Sequence, residues 1–413
     1  MSSPIKARMA LQKPNSALLV CATAVSMGLL LGGQYTFPVL SLPMTKEFEW
    51  GRGAVTAAFS IRLLVGVIAQ LLLGGFVDRY GPRRMGIFGA GLIAAGLGLS
   101  SNTQSLWHLY VSFGGLVALG ATFLELSILA VLTQHFNSKR GLAIGLTWAG
   151  GGAGIFILLP LTQALVSSAG WRLGFFYLGL GVVCLIPLIF LVFPSRSSDP
   201  CEREGDTRGI SLRQAIATSA FWLLFLGNVF IGIFDEAISQ HFIPFAIQVG
   251  YAELAAASAL GLSSLLYVIG QIAGGVLSDR FGREGVVTVA SIITILSLLM
   301  LLTLTPSQTH YIWVIMILFG LGLGANLAAR SASWGDVFRG DHFASIVGII
   351  WSGYAIGGAF IAWFGGWAFD FSGSYASIFT IATAATILWC LTLLRVAPRR
   401  YRARITSVGR VPS

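Results

Sequence analysis

The chain has 413 residues, 55% of them hydrophobic and only 10% charged, too little polar surface to cover a water-soluble globule of this size. Its formal net charge of +10 at pH 7 is spread over the segments between apolar runs, which argues against a nucleic-acid face. The four cysteines, Cys21, Cys184, Cys201 and Cys390, show neither metal-ligand spacing nor a pairing pattern.

At about 20 apolar residues per membrane span, the apolar runs predict twelve helices, at 16–40, 53–77, 85–102, 106–134, 141–168, 172–194, 218–246, 253–277, 286–305, 310–334, 342–368 and 375–396. The first run exceeds a signal-peptide core and lacks a small-residue cleavage site, so it reads as a retained helix. The 51 glycines suit helices whose backbones approach closely in lipid. An even number of spans puts both termini on one side. That side carries nearly all the Lys and Arg, while the opposite loops hold only Lys46, Arg52 and Arg172, so the positive-inside rule predicts cytoplasmic termini in a bacterial inner membrane.

The division expected is a six-helix half over residues 1–194, a cytoplasmic linker over 195–216 with Pro200, Gly205 and Gly209, a second half over 217–397, and a basic tail over 398–413 resting on anionic lipid. Two repeats connect the halves. Gln70, Gly74, Asp78, Arg79 and Gly81 recur 201 residues later as Gln271, Gly275, Asp279, Arg280 and Gly282. Gly145-x-x-Trp148-x-Gly150-x-x-x-Gly154 recurs as Gly348-x-x-Trp351-x-Gly353-x-x-x-Gly357. The fold class that follows is an all-α integral membrane protein, with twelve transmembrane helices as two six-helix pseudo-symmetric halves around a central cavity.

The Gly-x-x-x-Asp-Arg-x-Gly pattern after helices two and eight resembles the loop signature of the major facilitator superfamily of secondary transporters. The resemblance implies a gating set that locks and releases the halves during alternating access: Gly74, Asp78, Arg79, Gly81 and Arg83, with Gly275, Asp279, Arg280 and Gly282. The plainer alternative is that these residues cap helices and retain the loop on its side of the membrane. His135–Gly145, Phe48–Arg52 and Gly170–Arg172 resemble segments of monocarboxylate and oxalate/formate-type transporters. Helix eight lacks the Asp and Arg pair of the animal monocarboxylate carriers, and helix eleven lacks the basic residue expected of oxalate carriers, so neither substrate carries over.

Charges at membrane depth are costly and mark function by default. Arg62 lies deep in helix two, has no charged counterpart because the matching position of the other half is Ser263, and is expected to bind an anion; the alternative is a pair with Asp235 or Glu236. Arg330 and Glu125 hold nearly equivalent places in the two halves. Arg330 would receive a carboxylate through its planar fork, with Glu125 as counter-ion or proton carrier. The alternatives are a fixed ion pair or an Arg330 that snorkels to the headgroups. Asp235 and Glu236 match Gln34 and Tyr35 by the 201-residue offset and are proton-coupling candidates; at about 100° per residue one is expected to face the cavity and the other not, and hydrated positions near the outer mouth are the alternative. His241 reads as a mouth-lining residue. Gln34, Tyr35, Trp148, Trp351 and Tyr354 would complete a substrate-binding wall, unless the aromatics only pack.

No nucleophile with an adjacent base, metal cluster or phosphate-cradling loop is evident, so neither an enzyme nor a cofactor is expected. The reading is a secondary active transporter of a small, monocarboxylate-like organic anion, coupled to protons, whose partners are that substrate, the proton and membrane lipid. The alternative is an exporter of a neutral or cationic amphiphile by proton antiport, with Glu125, Asp235 and Glu236 holding the cargo.

Overall fold

Backbone groups in lipid have no water to bond, so apolar runs of this length must satisfy themselves as helices. The computed structural model describes residues 16–136, 140–194, 211–305, 310–338 and 343–397, and among them there is no strand. The linker segment 195–210 and the tail 398–413 lie outside the described residues, as does the side chain of Asp78.

The long helices are α1 (Ser16–Glu47), α2 (Arg52–Tyr80), α3 (Pro82–Ser100), α4 (Leu106–His135), α5 (Arg140–Ala169), α6 (Trp171–Val192), α7 (Ser219–Val249), α8 (Glu253–Phe281), α9 (Arg283–Leu302), α10 (Tyr311–Val337), α11 (Phe343–Ser372) and α12 (Ala376–Val396). Eleven of these are long and apolar enough to cross a membrane. The twelfth, α3, opens Pro82-Arg83-Arg84 and is rich in glycine, which lowers its hydropathy without shortening it.

Most boundaries fall within a few residues of those expected. The exception is α1, which runs to Glu47 because Thr36 only interrupts it: Pro38 restarts a helix over Phe37–Glu47. A π-helical stretch at Tyr110–Val117 widens α4, and a break at Cys184 divides α6.

The first repeat ends each α2-like helix in the same turn. Gly81 has φ 85°, ψ 152° and Gly282 has φ 98°, ψ 156°, a region open essentially to glycine alone. Beyond the turn, Arg83 donates from Nε to the Phe193 carbonyl on the end of α6 at 2.5 Å. Arg283 pairs through Nη1 with Asp279 at 2.6 Å and through Nε with Asp336 of α10 at 3.2 Å. Each of these contacts stays inside its own half and none bridges the two.

The second repeat has a packing basis. Gly150 and Gly154 bring α5 onto Ala24 and Gly28 of α1, while Gly353 and Gly357 bring α11 onto Phe225 and Val229 of α7. The two halves then meet along α2 with α11 and α5 with α8. Gly53 packs on Trp367, Gly152 on Ser264, Gly261 on Phe156, and the Ser60 hydroxyl donates to the Ala359 carbonyl at 2.7 Å.

Contacts between the halves concentrate at the end opposite the termini, where Asp370 of α11 bonds the start of α2 and Glu253 at the start of α8 bonds Gln163 and Ser167 of α5. Toward the terminal face, where α1 begins and α12 ends, the halves diverge. Between them lies a cavity of about 710 Å³, whose walls include the exposed side chains of Leu142, Leu146 and Ile272.

Candidate functional site

The ten residues expected to bind substrate or carry protons all border this one cavity: Gln34 and Tyr35 of α1, Arg62 of α2, Glu125 of α4, Trp148 of α5, Asp235 and Glu236 of α7, Arg330 of α10, and Trp351 and Tyr354 of α11. Both halves contribute a cation, an aromatic wall and at least one acid.

Arg62 is only 8% exposed, with its guanidinium carbon 4.4 Å above the centre of the Phe59 ring. Its Nε is buried without a protein acceptor, and among the described residues it forms no ion pair with Asp235 or Glu236. Arg330 is 0% exposed, so it does not snorkel to the headgroups. Nη1 donates to Asn228 Oδ1 at 3.1 Å, and the guanidinium lies 4.6 Å from the Trp351 ring and 5.1 Å from that of Trp334. Its Nε and Nη2 are buried without acceptors. Glu125 borders the cavity and, among the described residues, pairs with neither arginine.

Asp235 and Glu236 depart from the expectation that only one would face inward. The Tyr354 hydroxyl lies 2.8 Å from Asp235 Oδ2 and 3.2 Å from Glu236 Oε1, and both acids border the cavity. The cavity wraps far enough around α7, and Tyr354 reaches far enough from α11, to take in two side chains about 100° apart. Each acid is held a second time from its own helix: Ser239 donates to Asp235 Oδ1 at 3.4 Å, and Gln240 Nε2 to Glu236 Oε2 at 3.1 Å. Neither acid sits at an outer mouth.

His241 does not line a mouth either. It is 2% exposed, with Nε2 3.1 Å from the Ile361 carbonyl and its ring seated on Gly365, so it packs the close crossing of α7 and α11. Sequence reasoning also passed over Tyr267, Gln70 and Gln271 on the cavity wall and Asn228 behind Arg330. The two glutamines carried a signal, being equivalent positions of the first repeat; Asn228 is a lone amide in an apolar run and is 0% exposed. Among the described residues no group of three or more His, Cys, Asp or Glu is placed to hold a metal ion.

A cavity between two six-helix halves, joined at one end and parted at the other, is the architecture of a secondary transporter. The sequence profile of the Major Facilitator Superfamily matches residues 19–326 and 224–412, and the chain belongs to that superfamily. It is 24% identical over 340 residues to the oxalate:formate antiporter of Oxalobacter formigenes, covering 81% of this chain and 80% of that one. It is 27% identical over 350 residues to monocarboxylate transporter 12-B of Danio rerio, covering 77% and 73%. These relatives put it with the monocarboxylate and oxalate/formate-type branch.

Among solved structures, the nucleoside transporter NupG superposes with a TM-score of 0.76 at 11% identity, covering 92% of this chain and 99% of that one. A bacterial homologue of the human lysosomal transporter Spinster, crystallised inward-facing and unoccupied, superposes with a TM-score of 0.70 at 16% identity, covering 97% and 99%. Both share the fold.

Proposed function

We propose that the protein carries a small, monocarboxylate-like organic anion through this cavity by alternating access, coupled to protons. The carrying observation is the pair Arg62 and Arg330, one from each half, both bordering the cavity and both with buried donors that no protein group accepts. A carboxylate is the group whose two oxygens match a guanidinium fork. The relatives named as an oxalate:formate antiporter and a monocarboxylate transporter support an acidic substrate. The cations here come from α2 and α10, one from each half.

Hydrogen-bond counting supports the proton. The Tyr354 hydroxyl has one proton to give and two carboxyl groups within reach, so a full hydrogen bond to each at once calls for one acid to bring a proton of its own, and otherwise the two acids share a single donor. Asp235 and Glu236 are therefore the coupling pair in this proposal, with Glu125 as a third acid on the path. The loops after α2 and α8 act as the gate, residues 1–194 and 217–397 as the rocking bodies, and the lopsided Lys and Arg content sets cytoplasmic termini in a cell inner membrane.

One observation favours the second reading. Three cavity acids outnumber two arginines, which would suit extrusion of a cationic or neutral amphiphile by proton antiport. The readings separate in proteoliposomes with an imposed pH gradient: accumulation of a carboxylic acid supports the first, and extrusion of cationic dyes with no acid accumulated overturns it. Retention of pH-driven accumulation in a Glu236→Gln, Asp235→Asn and Glu125→Gln triple variant would remove these acids from coupling.

A further inference from the structure

The cavity is layered. Arg62, Asp235, Glu236 and Tyr354 form a charged and hydroxyl-bearing layer deep between the halves. Trp148 and Trp351 lie nearer the terminal face, in equivalent registers of the repeated Gly-x-x-Trp-x-Gly segments of α5 and α11, so each half sets one indole beside the path to Arg62. The Trp351 ring is held in place, edge-on to Trp334 at 5.9 Å, stacked on Tyr354 at 6.0 Å and with the Arg330 guanidinium 4.6 Å from its centre, so the second cation stands at the level of the indoles. The rest of the wall is chiefly Leu, Ile, Val, Ala and Gly.

The composition of that wall bears on the substrate, whereas the cavity volume of about 710 Å³ includes the open approach from the terminal face and sets only an upper bound on size. A two- or three-carbon acid has almost no apolar surface to bury, and binding in a mostly apolar wall grows with the apolar area removed from water.

We infer that the anion carries a flat apolar body behind its carboxylate, as in an aryl- or indolyl-alkanoic acid, and enters carboxylate first toward Arg62 with its ring between Trp148 and Trp351. This rests on the anion reading above. The carboxylate meets Arg62, which lies deeper than either indole, and the ring meets the two indoles, with Arg330 beside Trp351 as the second cation on the path. Small hydrophilic acids such as lactate and oxalate satisfy the first contact only.

The test is counterflow of labelled indole-3-acetate in proteoliposomes of the full-length protein at neutral pH, with empty liposomes as the permeation control and phenylacetate, lactate and oxalate as competitors. Exchange of indole-3-acetate, blocked by phenylacetate and unaffected by lactate or oxalate, is the expected result. Trp351→Leu is expected to raise KM for indole-3-acetate about tenfold, with Trp351→Phe retaining most of the affinity through its ring face. The pair Trp148→Leu and Trp148→Phe gives the same comparison from the other half, so a folding failure at one tryptophan leaves the other to decide. Lactate or oxalate competing as well as phenylacetate, or leucine variants with unchanged KM, overturns the substrate class while the anion reading stands. Exchange of none of the acids overturns both.

Discussion

Asp370 on α11 caps the first turn of α2 through Arg52: its Oδ1 accepts from the Arg52 N–H at 2.8 Å, and its Oδ2 from the Gly53 N–H at 2.8 Å. The N-cap of α2 is Gly51, which has no side chain to do this for itself. The cap is therefore supplied from the other half of the protein. The Arg52 side chain returns the contact, lying 3.7 Å over the Phe369 ring and donating to the Tyr375 hydroxyl. When the halves part at this end, α2 loses its cap and Asp370 its donors together.

Losing an N-cap costs about 1–2 kcal/mol, a shift of roughly 5–30-fold in a two-state ratio. Asp370→Ala is thus expected to populate conformers open at the end opposite the termini. A cysteine at Ser60, whose hydroxyl bonds Ala359 across the closed interface, reports this in a background lacking the four native cysteines. Labelling by an impermeant maleimide applied from that end should be several-fold faster in the Asp370→Ala background. An unchanged rate would show that the trans cap does not hold the interface.

The start of α8 repeats the device with different chemistry. Glu253 Oε2 accepts from Gln163 Nε2 at 2.7 Å and from Ser167 Oγ at 3.1 Å, both on α5. The two latches share no residue, so their contributions to closure should add. Labelling of the Ser60 cysteine is expected to rise in Glu253→Ala and to rise multiplicatively in the double variant with Asp370→Ala. A double variant no faster than Asp370→Ala alone would mean that Glu253 takes no part in closure.

Asn228 makes the one protein hydrogen bond that Arg330 has among the described residues. Asn228→Leu leaves a buried guanidinium with no acceptor, at about 1–3 kcal/mol. Thermal unfolding in detergent should fall by several degrees, while Asn228→Asp, which keeps an acceptor and adds charge, should hold its midpoint. An unshifted midpoint in Asn228→Leu would separate the stability of α10 from this bond.

Gly357 lets α11 touch the Val229 carbonyl of α7, leaving no room for a Cβ, whereas Gly91 on α3 has open space around it. Gly357→Ala should cost about 1–3 kcal/mol through overpacking, and Gly91→Ala should change little. Equal unfolding midpoints for the two variants would contradict the close α7–α11 crossing.

What could be read from the residues alone was the part that repeats or costs energy locally. Gly81 and Gly282 announce their turns because other residues pay steric strain there, and Arg62, Glu125, Asp235, Glu236 and Arg330 announce themselves because charge at membrane depth needs a reason. Contacts that exist only after assembly were not legible. Asp370 and Arg52 are 318 residues apart, and each reads as an ordinary helix-end charge until α2 and α11 meet. His241 was misplaced for the same reason: its burial is created by Gly365 of a different helix. Helical spacing predicted the angle between Asp235 and Glu236, but not that Tyr354 would stand between them.

The most direct test of the central proposal compares wild type and Arg62→Gln in sealed proteoliposomes, measuring carrier-mediated exchange of carboxylic acids after thermal unfolding and size-exclusion profiles have established equal folding. The expected result is saturable exchange in wild type and none above the empty-liposome rate in Arg62→Gln, with Arg62→Lys in between because an ammonium lacks the planar fork. Exchange by Arg62→Gln with wild-type affinity and rate would contradict an anion site at Arg62.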